Sequence, residues 1–216
     1  MRIGVLGTGM VGRGIGTKLV ALGHKVMMGS RTADNEKTLE WVASAGEGAS
    51  RGTFADAAAH GELLFNCTGG EVSVDAIGSA RAEDLAGKIL VDVANPLDFS
   101  RGMPPTLFVF GTDSLGEQIQ RAFPDARVVK ELNTINCEVM VDPARVQGEH
   151  DVFVCGNDTA AKAGVAELLR SFGWPDDHIV DLGDISAARG VEAYLLLWLR
   201  LRGVTATGDF NIRVVR

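Results

Sequence analysis

Near its start the chain carries three glycines at the spacing that lets a backbone turn approach a phosphate group. They lie in VLGTGMVG, a G-x-G-x-x-G pattern that directly follows a short apolar run and opens a segment of helical periodicity. The first glycine permits a tight turn, the second admits a pyrophosphate, and the third lets helix and strand pack closely. The pattern predicts a dinucleotide site, with a glycine-rich turn that binds nothing as the alternative. Its predicted residues are Gly7, Thr8, Gly9, Met10, Val11 and Gly12.

The stretch MGSRT follows about 20 residues later, where many dinucleotide-binding chains carry a carboxylate. A carboxylate there would bind the ribose hydroxyls and repel a 2′-phosphate, whereas Arg31 presents a fork of donors to phosphate oxygens. Ser30 and Thr32 add hydroxyl donors, and Lys37 either reaches the same anion or is solvated. The nearest acid, Asp34, is better interpreted as a helix N-cap. We therefore predict NADP(H) as the cofactor, with a surface arginine in a turn as the alternative.

Three loops at the ends of predicted strands are candidates to line the nicotinamide. They read NCTGGEV, ANPLD and KELNTINCEVM and cover residues 66–72, 94–98 and 130–140. In the third loop, the side chains of Asn133, Thr134 and Asn136 can supply donors and acceptors to a carboxamide or a flat heterocycle.

The sequence contains no recognisable acid–base or metal-ligand pattern. His24 is interpreted as structural, and His60, His150 and His178 as solvated residues of polar turns. Reducing a carbonyl usually requires a positioned proton donor, whereas hydride transfer to a flavin-like ring requires mainly stacking, orientation and exclusion of water. The sequence therefore favours the second kind of reaction.

Composition excludes several other classes. The net charge of −7 gives no basic surface for nucleic acid or an anionic membrane. Cys67, Cys137 and Cys155 are far apart, which favours a reducing compartment and a cytoplasmic protein. Cys67 and Cys155 are predicted to be buried thiols, and a reactive role for Cys137 is a minor alternative. We predict a small-molecule substrate, no nucleic acid, no membrane and no metal.

Apolar runs alternate with helical segments along the whole chain. The pattern predicts an α/β fold with a Rossmann-like, doubly wound, mostly parallel sheet and a small C-terminal extension. Predicted strands cover residues 2–6, 25–29, 62–68, 88–95, 106–111, 126–132, 150–156 and 178–183. Predicted helices cover residues 10–22, 34–45, 72–80, 114–123, 158–171 and 191–203.

We divide the chain into an NADP-binding domain, residues 1–150, and a smaller part, residues 151–216. The smaller part is predicted as strand, helix, strand and helix, packing on the first domain. The uninterrupted apolar part of its last helix, in the run VEAYLLLWLRLRG, is too short to span a bilayer. It is predicted to be a core helix, with a dimer-interface helix as the main alternative.

The motifs GTGMVGRGIGTKLVALGHKVMMGSRT, VVKELNTIN, DVFVCGND and LGDISAARGVEAY resemble the NADPH-dependent reductases of the deazaflavin coenzyme F420. A related group is the cytosolic oxidoreductase domain of the ferric reductases called six-transmembrane epithelial antigens of the prostate. The resemblance covers nearly the whole chain. It implies a Rossmann domain with a small carboxyl-terminal part, usually in a homodimer.

The resemblance also implies site residues. The pyrophosphate turn corresponds to residues 8–11, and the 2′-phosphate site to Ser30 and Arg31. The loops on the nicotinamide side correspond to Thr68, Gly69, Asn95, Pro96, Leu97, Asn133 and Thr134. The chain departs from the deazaflavin reductases at Asn133, where they tend to carry histidine, and in TGGEVS, which lacks bulky apolar residues. At the place of LNT the ferric-reductase relatives carry FNT, so the second substrate is deazaflavin F420, a flavin or another acceptor.

Two functions remain open from the sequence. The first is an NADP(H)-dependent oxidoreductase that exchanges a hydride with a flavin-like acceptor. The second is a non-catalytic NADP(H)-binding redox sensor or regulatory protein. A β-hydroxyacid or imine reductase is disfavoured, because the residues after about 185 are too few for its helical second domain.

Overall fold

Eight short segments, most of them apolar, form the strands of one large sheet in the computed structural model, which describes residues 1–215. The strands of this sheet are β1 Arg2–Leu6, β2 Lys25–Ser30, β3 Ala49–Thr53, β4 Leu63–Asn66, β5 Ile89–Asp92, β8 Arg127–Glu131, β9 Val152–Gly156 and β10 Ile179–Asp181, while β6 Leu97–Asp98 and β7 Thr106–Leu107 form a separate hairpin. The helices are α1 Met10–Ala21, α2 Glu36–Ala45, α3 Phe54–His60, α4 Ser73–Gly78, α5 Ala82–Leu85, α6 Leu115–Ala122, α7 Cys137–Val141, α8 Thr159–Phe172 and α9 Ala188–Thr205.

The strand order in the large sheet is β10-β9-β8-β5-β4-β1-β2-β3. Neighbouring strands are parallel except β8 and β9, which are antiparallel. The chain builds β1, β2 and β3 outward and then returns to place β4 on the other side of β1. The carboxyl ends of β1 and β4 therefore flank the switch point where a ligand crevice forms in such sheets.

Helices cover both faces of the sheet. Residues of α1, α2, α7 and α8 pack into one apolar core, and residues of α3, α4 and α6 pack into the other. Helix α9 packs against α6 beside the second core. The predicted α/β, Rossmann-like, doubly wound and mostly parallel sheet is thereby confirmed.

Helix α1 lies close to the sheet because its inward face is small and apolar. Ile15, Gly16 and Leu19 are buried at helical spacing. A Cβ at Gly16 would come 2.9 Å from the ring of Trp41, so this glycine admits the indole of α2. The Trp41 Nε1–H donates a hydrogen bond to Thr17 Oγ1 at 3.0 Å, which fixes α2 against α1.

Asp34 is not the N-cap of α2, contrary to the prediction. The helix begins two residues later, and Asn35 Oδ1 accepts the backbone N–H of Lys37 at 3.0 Å. The turn after β2 therefore extends to Asn35, beyond the predicted helix start at Asp34. Asp34 lies exposed in that turn.

Two strand predictions differ from the structure. The edge strand β3 was not predicted, since its residues ASRGT lack an apolar alternation; its end is fixed by a capping box between Thr53 and Asp56. Only the first two residues of TLFVFG form a strand, and they pair with Leu97–Asp98 outside the large sheet. Phe108 and Phe110 in that stretch are exposed, because no sheet neighbour covers them.

Beyond residue 150 the described elements follow the predicted order of strand, helix, strand and helix, and β9 and β10 extend the large sheet. The division of the chain at residue 150 remains a prediction. His150 and His178 are buried rather than solvated, which corrects the sequence interpretation. The backbone carbonyl of His150 lies 2.9 Å from His178 Nδ1, and Asn211 of the C-terminal segment contacts the His150 ring. The local sequence around His150 and His178 is polar, and it does not indicate that the C-terminal segment lies against these histidines.

No helix within residues 1–215 is both long enough and apolar enough to cross a membrane. Over the same residues, no three side chains of the His, Cys, Asp or Glu type come together as metal ligands.

Candidate functional site

The glycine turn between β1 and α1 contains two glycines that the fold itself requires. Gly7 has φ +118°, and a Cβ there would lie 2.6 Å from the carbonyl oxygen of Cys67. A Cβ at Gly12 would collide with the carbonyl oxygen of Gly7. These two residues allow the start of α1 to lie directly beside the carboxyl ends of β1 and β4.

Gly9 differs from both neighbours in the motif. Its φ is −74°, which any residue can adopt, and a Cβ there would meet nothing within 4 Å. The fold therefore gives no reason for glycine at this position. Gly9 precedes the first turn of α1, where backbone N–H groups point outward. When neither the backbone conformation nor the packing requires glycine, a ligand that approaches the backbone closely is a reason for glycine at that position.

An open cleft of about 610 Å³ lies between the turns after β1, β2, β3 and β4. Its volume is in the range typical of small-molecule sites. Seven of its lining residues belong to the predicted site: Gly7, Thr8, Gly9, Ser30, Arg31, Thr68 and Gly69. Cys67 and Val72 also line it and belong to the predicted loop 66–72. The lining residues that were not predicted from the sequence are Asn35, Thr53, Phe54, Ala55, Asp75, Ala76 and Ser79.

The turn after β2 brings one arginine to the cleft. The Arg31 side chain is exposed and lines the cleft. Ser30 is buried, and its hydroxyl donates a hydrogen bond to the carbonyl oxygen of Thr32 at 2.5 Å. The single proton of the Ser30 hydroxyl is thus used within the turn, so Ser30 stabilises the turn that carries Arg31 and has no free donor for a phosphate. The guanidinium of Arg51 on β3 also contacts this turn, at the carbonyl oxygen of Ala33.

The remaining predicted cofactor residues lie outside the cleft. Met10 and Lys37 line a separate depression on the other side of the glycine turn, which shares Thr8 and Gly9 with the cleft. Val11, Gly12 and Thr32 do not line the cleft.

The predicted nicotinamide-side residues divide into two groups. Thr68 and Gly69 line the cleft, and Gly69, like Gly9, has open space where a Cβ would stand. The second group lies further along the sheet edge, in the loops after β5 and β8, and does not line the cleft. It comprises Asn95, Pro96, Leu97, Asn133 and Thr134.

The amides of Asn95 and Asn133 bond to each other. Asn133 Nδ2 donates to Asn95 Oδ1 at 2.9 Å, and Asn95 Nδ2 donates to the backbone carbonyl of Asn133 at 2.9 Å. Asn133 Nδ2 also donates to the carbonyl oxygen of Val191 on α9 at 3.1 Å, and Asn133 is only 3% exposed. In this arrangement the Asn133 amide joins three segments of the protein instead of presenting a free donor.

The sequence interpretation named Asn66 and Lys130 as the first residues of two candidate loops, but it did not recognise that they form a row of buried polar side chains with Asp92. Asn66, Asp92 and Lys130 are paired in register across β4, β5 and β8, so their side chains share one face. Asn66 Nδ2 donates to Asp92 Oδ1 at 2.8 Å, and Lys130 Nζ lies 2.8 Å from Asp92 Oδ2. Lys130 Nζ also lies 2.8 Å from Glu192 Oε1 of α9.

Lys130 keeps its charge although it is buried. Burial by itself lowers the pKa of Lys130, but Asp92 and Glu192 outweigh it and hold the pKa above its usual value. Glu192 in turn accepts the backbone N–H groups of Leu115 and Gly116 at 2.9 and 3.0 Å. These amides begin α6, so the positive end of the helix dipole stabilises the second carboxylate.

The titratable groups beside the cluster are held in their neutral forms. Burial raises the pKa of Glu131 well above its usual value, and its Oε2 has no hydrogen-bond partner among the described residues. Burial, with the carboxylate of Asp92, also raises the pKa of the Cys67 thiol. Cys155 is buried as predicted, whereas Cys67 is only half-buried and lines the cleft. Burial and then Glu138 raise the pKa of Cys137, so nothing activates its thiol.

Comparison with known proteins relates the chain to one group of enzymes. Residues 2–96 match the protein family described as NADP oxidoreductase coenzyme F420-dependent. The F420-dependent NADP reductase of Methanocaldococcus jannaschii is 30% identical over 215 residues, which cover 94% of this chain and 93% of that enzyme. Metalloreductase STEAP3 of Rattus norvegicus is 33% identical over 197 residues; the match covers 89% of this chain but only 36% of the rat protein.

A solved structure is closer in sequence. The crystal structure of a candidate F420-dependent NADP reductase from Arthrobacter sp. FB24 is 52% identical, and its TM-score is 0.93 over 99% of each chain. The fold described above is therefore shared over the whole length of that relative.

The contrast between Gly9 and Gly12 can be tested by substitution. Gly9→Val should leave the protein folded and lower the free energy of unfolding by no more than about 1 kcal/mol, because a Cβ there meets nothing and the N-cap has no side-chain bond to lose. It should weaken NADPH binding roughly tenfold to a hundredfold, since hydrogen bonds to a charged phosphate are each worth about 1.5–3 kcal/mol. Gly12→Ala should instead lower the free energy of unfolding by about 1–3 kcal/mol through overpacking against Gly7. Calorimetry of folding and of NADPH binding measures both. Normal NADPH affinity in Gly9→Val would mean that the ligand does not use this turn.

Proposed function

The chain belongs to the family of coenzyme F420-dependent NADP oxidoreductases, and we propose that it transfers a hydride between NADPH and a flavin-like acceptor. The observation that carries this proposal is the cleft that joins the open backbone at Gly9 to the exposed guanidinium of Arg31. A pyrophosphate at the first and a 2′-phosphate at the second match the two anionic groups of NADP(H).

We infer the following arrangement of the cofactor. The adenosine half fills the cleft, with the adenine beside the apolar side chains of Phe54, Val72 and Ala76. Arg31 binds the 2′-phosphate, Ser30 fixes the turn that carries Arg31 through its bond to Thr32, and the backbone around Gly9 binds the pyrophosphate. The nicotinamide then extends past Thr68 and Gly69 towards the loops after β5 and β8, which hold Asn95, Pro96, Leu97, Asn133 and Thr134.

The chemistry of this region supports a hydride acceptor that is a ring rather than a carbonyl. On the nicotinamide side, Asn95, Pro96, Leu97, Asn133 and Thr134 carry no titratable side chain, so none of them is the general acid that carbonyl reduction usually requires. Cys67, which precedes Thr68 in the chain, has a thiol whose pKa is raised by burial, and this makes it a poor proton donor. A flavin or deazaflavin ring accepts the hydride from NADPH and takes its proton from solvent, and the protein needs only to orient the two rings and exclude water.

We also infer that the protein is a homodimer joined through α9. This helix exposes Leu196 and Leu197, and the nearby loop after β6 and β7 exposes Met103 and Phe110. Two grooves run between the helix and this loop and share Pro104, Leu199 and Arg200. Such a concentration of exposed apolar side chains is typical of an association surface.

Arg31→Ala tests the cofactor specificity. Removing a charged donor to the 2′-phosphate should raise the Kd for NADPH roughly tenfold to a hundredfold and leave the Kd for NADH unchanged. Titration of nicotinamide fluorescence measures both constants. Lys37→Ala is the comparison, because Lys37 lies in the neighbouring depression and should cost less. An equal rise in the Kd for NADPH and for NADH would show that Arg31 does not bind the 2′-phosphate.

An acceptor screen tests the reaction itself. Wild-type protein with NADPH and either FMN, FAD or F420 should consume NADPH, followed at the nicotinamide absorbance band. Gly9→Val is the matched negative control, since it keeps the fold. If NADPH binds but no acceptor in the panel is reduced, the non-catalytic redox-sensor function replaces the enzyme.

Leu197→Asp tests the dimer. A charge among the exposed apolar side chains of α9 should convert the protein to a monomer, because a buried unpaired carboxylate is costly. Light scattering after size-exclusion chromatography gives the mass. Leu39→Asp is the control, because Leu39 is also exposed but lies on α2. A monomeric wild type, or a dimer that survives Leu197→Asp, would contradict this interface.

A further inference from the structure

A chain of hydrogen bonds leads from the cleft to α9. It begins at Thr68, which lines the cleft and whose Oγ1 donates to Asn66 Oδ1 at 2.7 Å. Asn66 contacts Asp92, and Asp92 contacts Lys130, as described above. Lys130 then contacts Glu192 of α9. Each contact lies within normal hydrogen-bond distance, so one side of the cleft is joined to α9 without a gap.

Lys130 is the cation at the centre of this chain. It is 1% exposed, and its ammonium has three protons for three acceptors: Asp92 Oδ2, Glu192 Oε1 and the carbonyl oxygen of Ala94. Ala94 also donates its N–H to Asp92 Oδ1 at 3.2 Å. Lys130 therefore fixes the first residues of the loop after β5 as well as α9.

The same turn of α9 holds the loop after β8. Glu192 binds Lys130, and the carbonyl of the preceding residue, Val191, accepts from Asn133. Asn133 is bonded in turn to Asn95. The loops after β5 and β8 thus meet α9 at two consecutive residues, and both contacts are buried.

We propose that Lys130 is the positioning residue of the site: through Asp92 and Glu192 it holds the loops on the nicotinamide side and α9 in one fixed arrangement. The proposal rests on the proposed function, since it assigns these loops to the nicotinamide. Lys130 itself contacts neither ligand. Its effect is on where the nicotinamide is held, because the adenosine half depends on Gly9, Ser30 and Arg31 at the other end of the cleft.

Glu192→Gln tests the proposal, and Glu117→Gln is its matched control. Glu117 also joins α6 to α9, through Arg189 and Ser114, but it does not contact Lys130. The two variants make the same change of charge and shape at the same helix junction. Lys130→Met is a second variant, which removes the central charge at similar length.

The readouts are the Kd for NADPH and the fluorescence anisotropy of its bound nicotinamide. We expect all three variants to keep a Kd within about threefold of the wild type, because the adenosine contacts are intact. In Glu192→Gln and Lys130→Met the anisotropy should fall towards that of free NADPH, and in Glu117→Gln it should not. With any acceptor that the wild type reduces, kcat should fall about tenfold to a hundredfold at unchanged KM for NADPH, as expected for a misplaced reactant.

Equal anisotropy in Glu192→Gln and Glu117→Gln would overturn the positioning role and leave the proposed function intact. If Lys130→Met does not fold, the comparison of anisotropy between Glu192→Gln and Glu117→Gln still tests the proposal. A wild type that binds NADPH but reduces no acceptor contradicts the hydride-transfer proposal alone, since the anisotropy comparison still applies. A wild type that binds no NADPH overturns both.

Discussion

The close approach of two peptide segments at the glycine turn is the constraint on which the rest of the site depends. Gly12 lies against the carbonyl of Gly7, and Gly7 lies against the carbonyl of Cys67, with no room for a Cβ at either position. This contact brings the start of α1 to the switch point between β1 and β4. The first amides of the helix and the cleft after β2, β3 and β4 then share one edge of the sheet. A side chain at either glycine would move the helix away from the crevice that it serves.

The opposite half of that edge is built on buried charge. Lys130, Asp92 and Glu192 are removed from water, a state that costs free energy unless every hydrogen-bonding group is satisfied. Here the three protons of the ammonium are used, and α6 supplies amides to the second carboxylate. A core of apolar side chains would stabilise the same strands, but it would not fix the loops to α9 in one geometry. The glycine turn at one end of the site thus depends on positions without side chains. The other end depends on a buried polar cluster in which every proton of the Lys130 ammonium has an acceptor.

Local patterns in the sequence predicted the sheet, the glycine turn and the arginine after β2, because each depends on residues close together in the chain. The buried cluster depends on a pairing between β8 and α9 that no local pattern contains. A partial signal existed: Asp92 in KILVDVAN and Lys130 in VVKEL interrupt strands that are otherwise apolar. Asn133 was read as a free donor, since its partners Asn95 and Val191 are distant in sequence. The strand predicted for TLFVFG was wrong for a related reason. Whether such a segment joins the sheet depends on which strands lie beside it in space, and the local sequence does not contain that information.

The central claim is that the cleft binds NADP(H) through its adenosine half, with the 2′-phosphate on Arg31. Calorimetric titration of the wild-type protein with adenosine 2′,5′-bisphosphate, which has this half but no nicotinamide, tests it most directly. The bisphosphate should bind at one site per chain and compete with NADPH, and 5′-AMP should bind at least about tenfold more weakly, a difference of about 1.4 kcal/mol. Equal affinity for the bisphosphate and 5′-AMP, or binding that does not compete with NADPH, would contradict the claim.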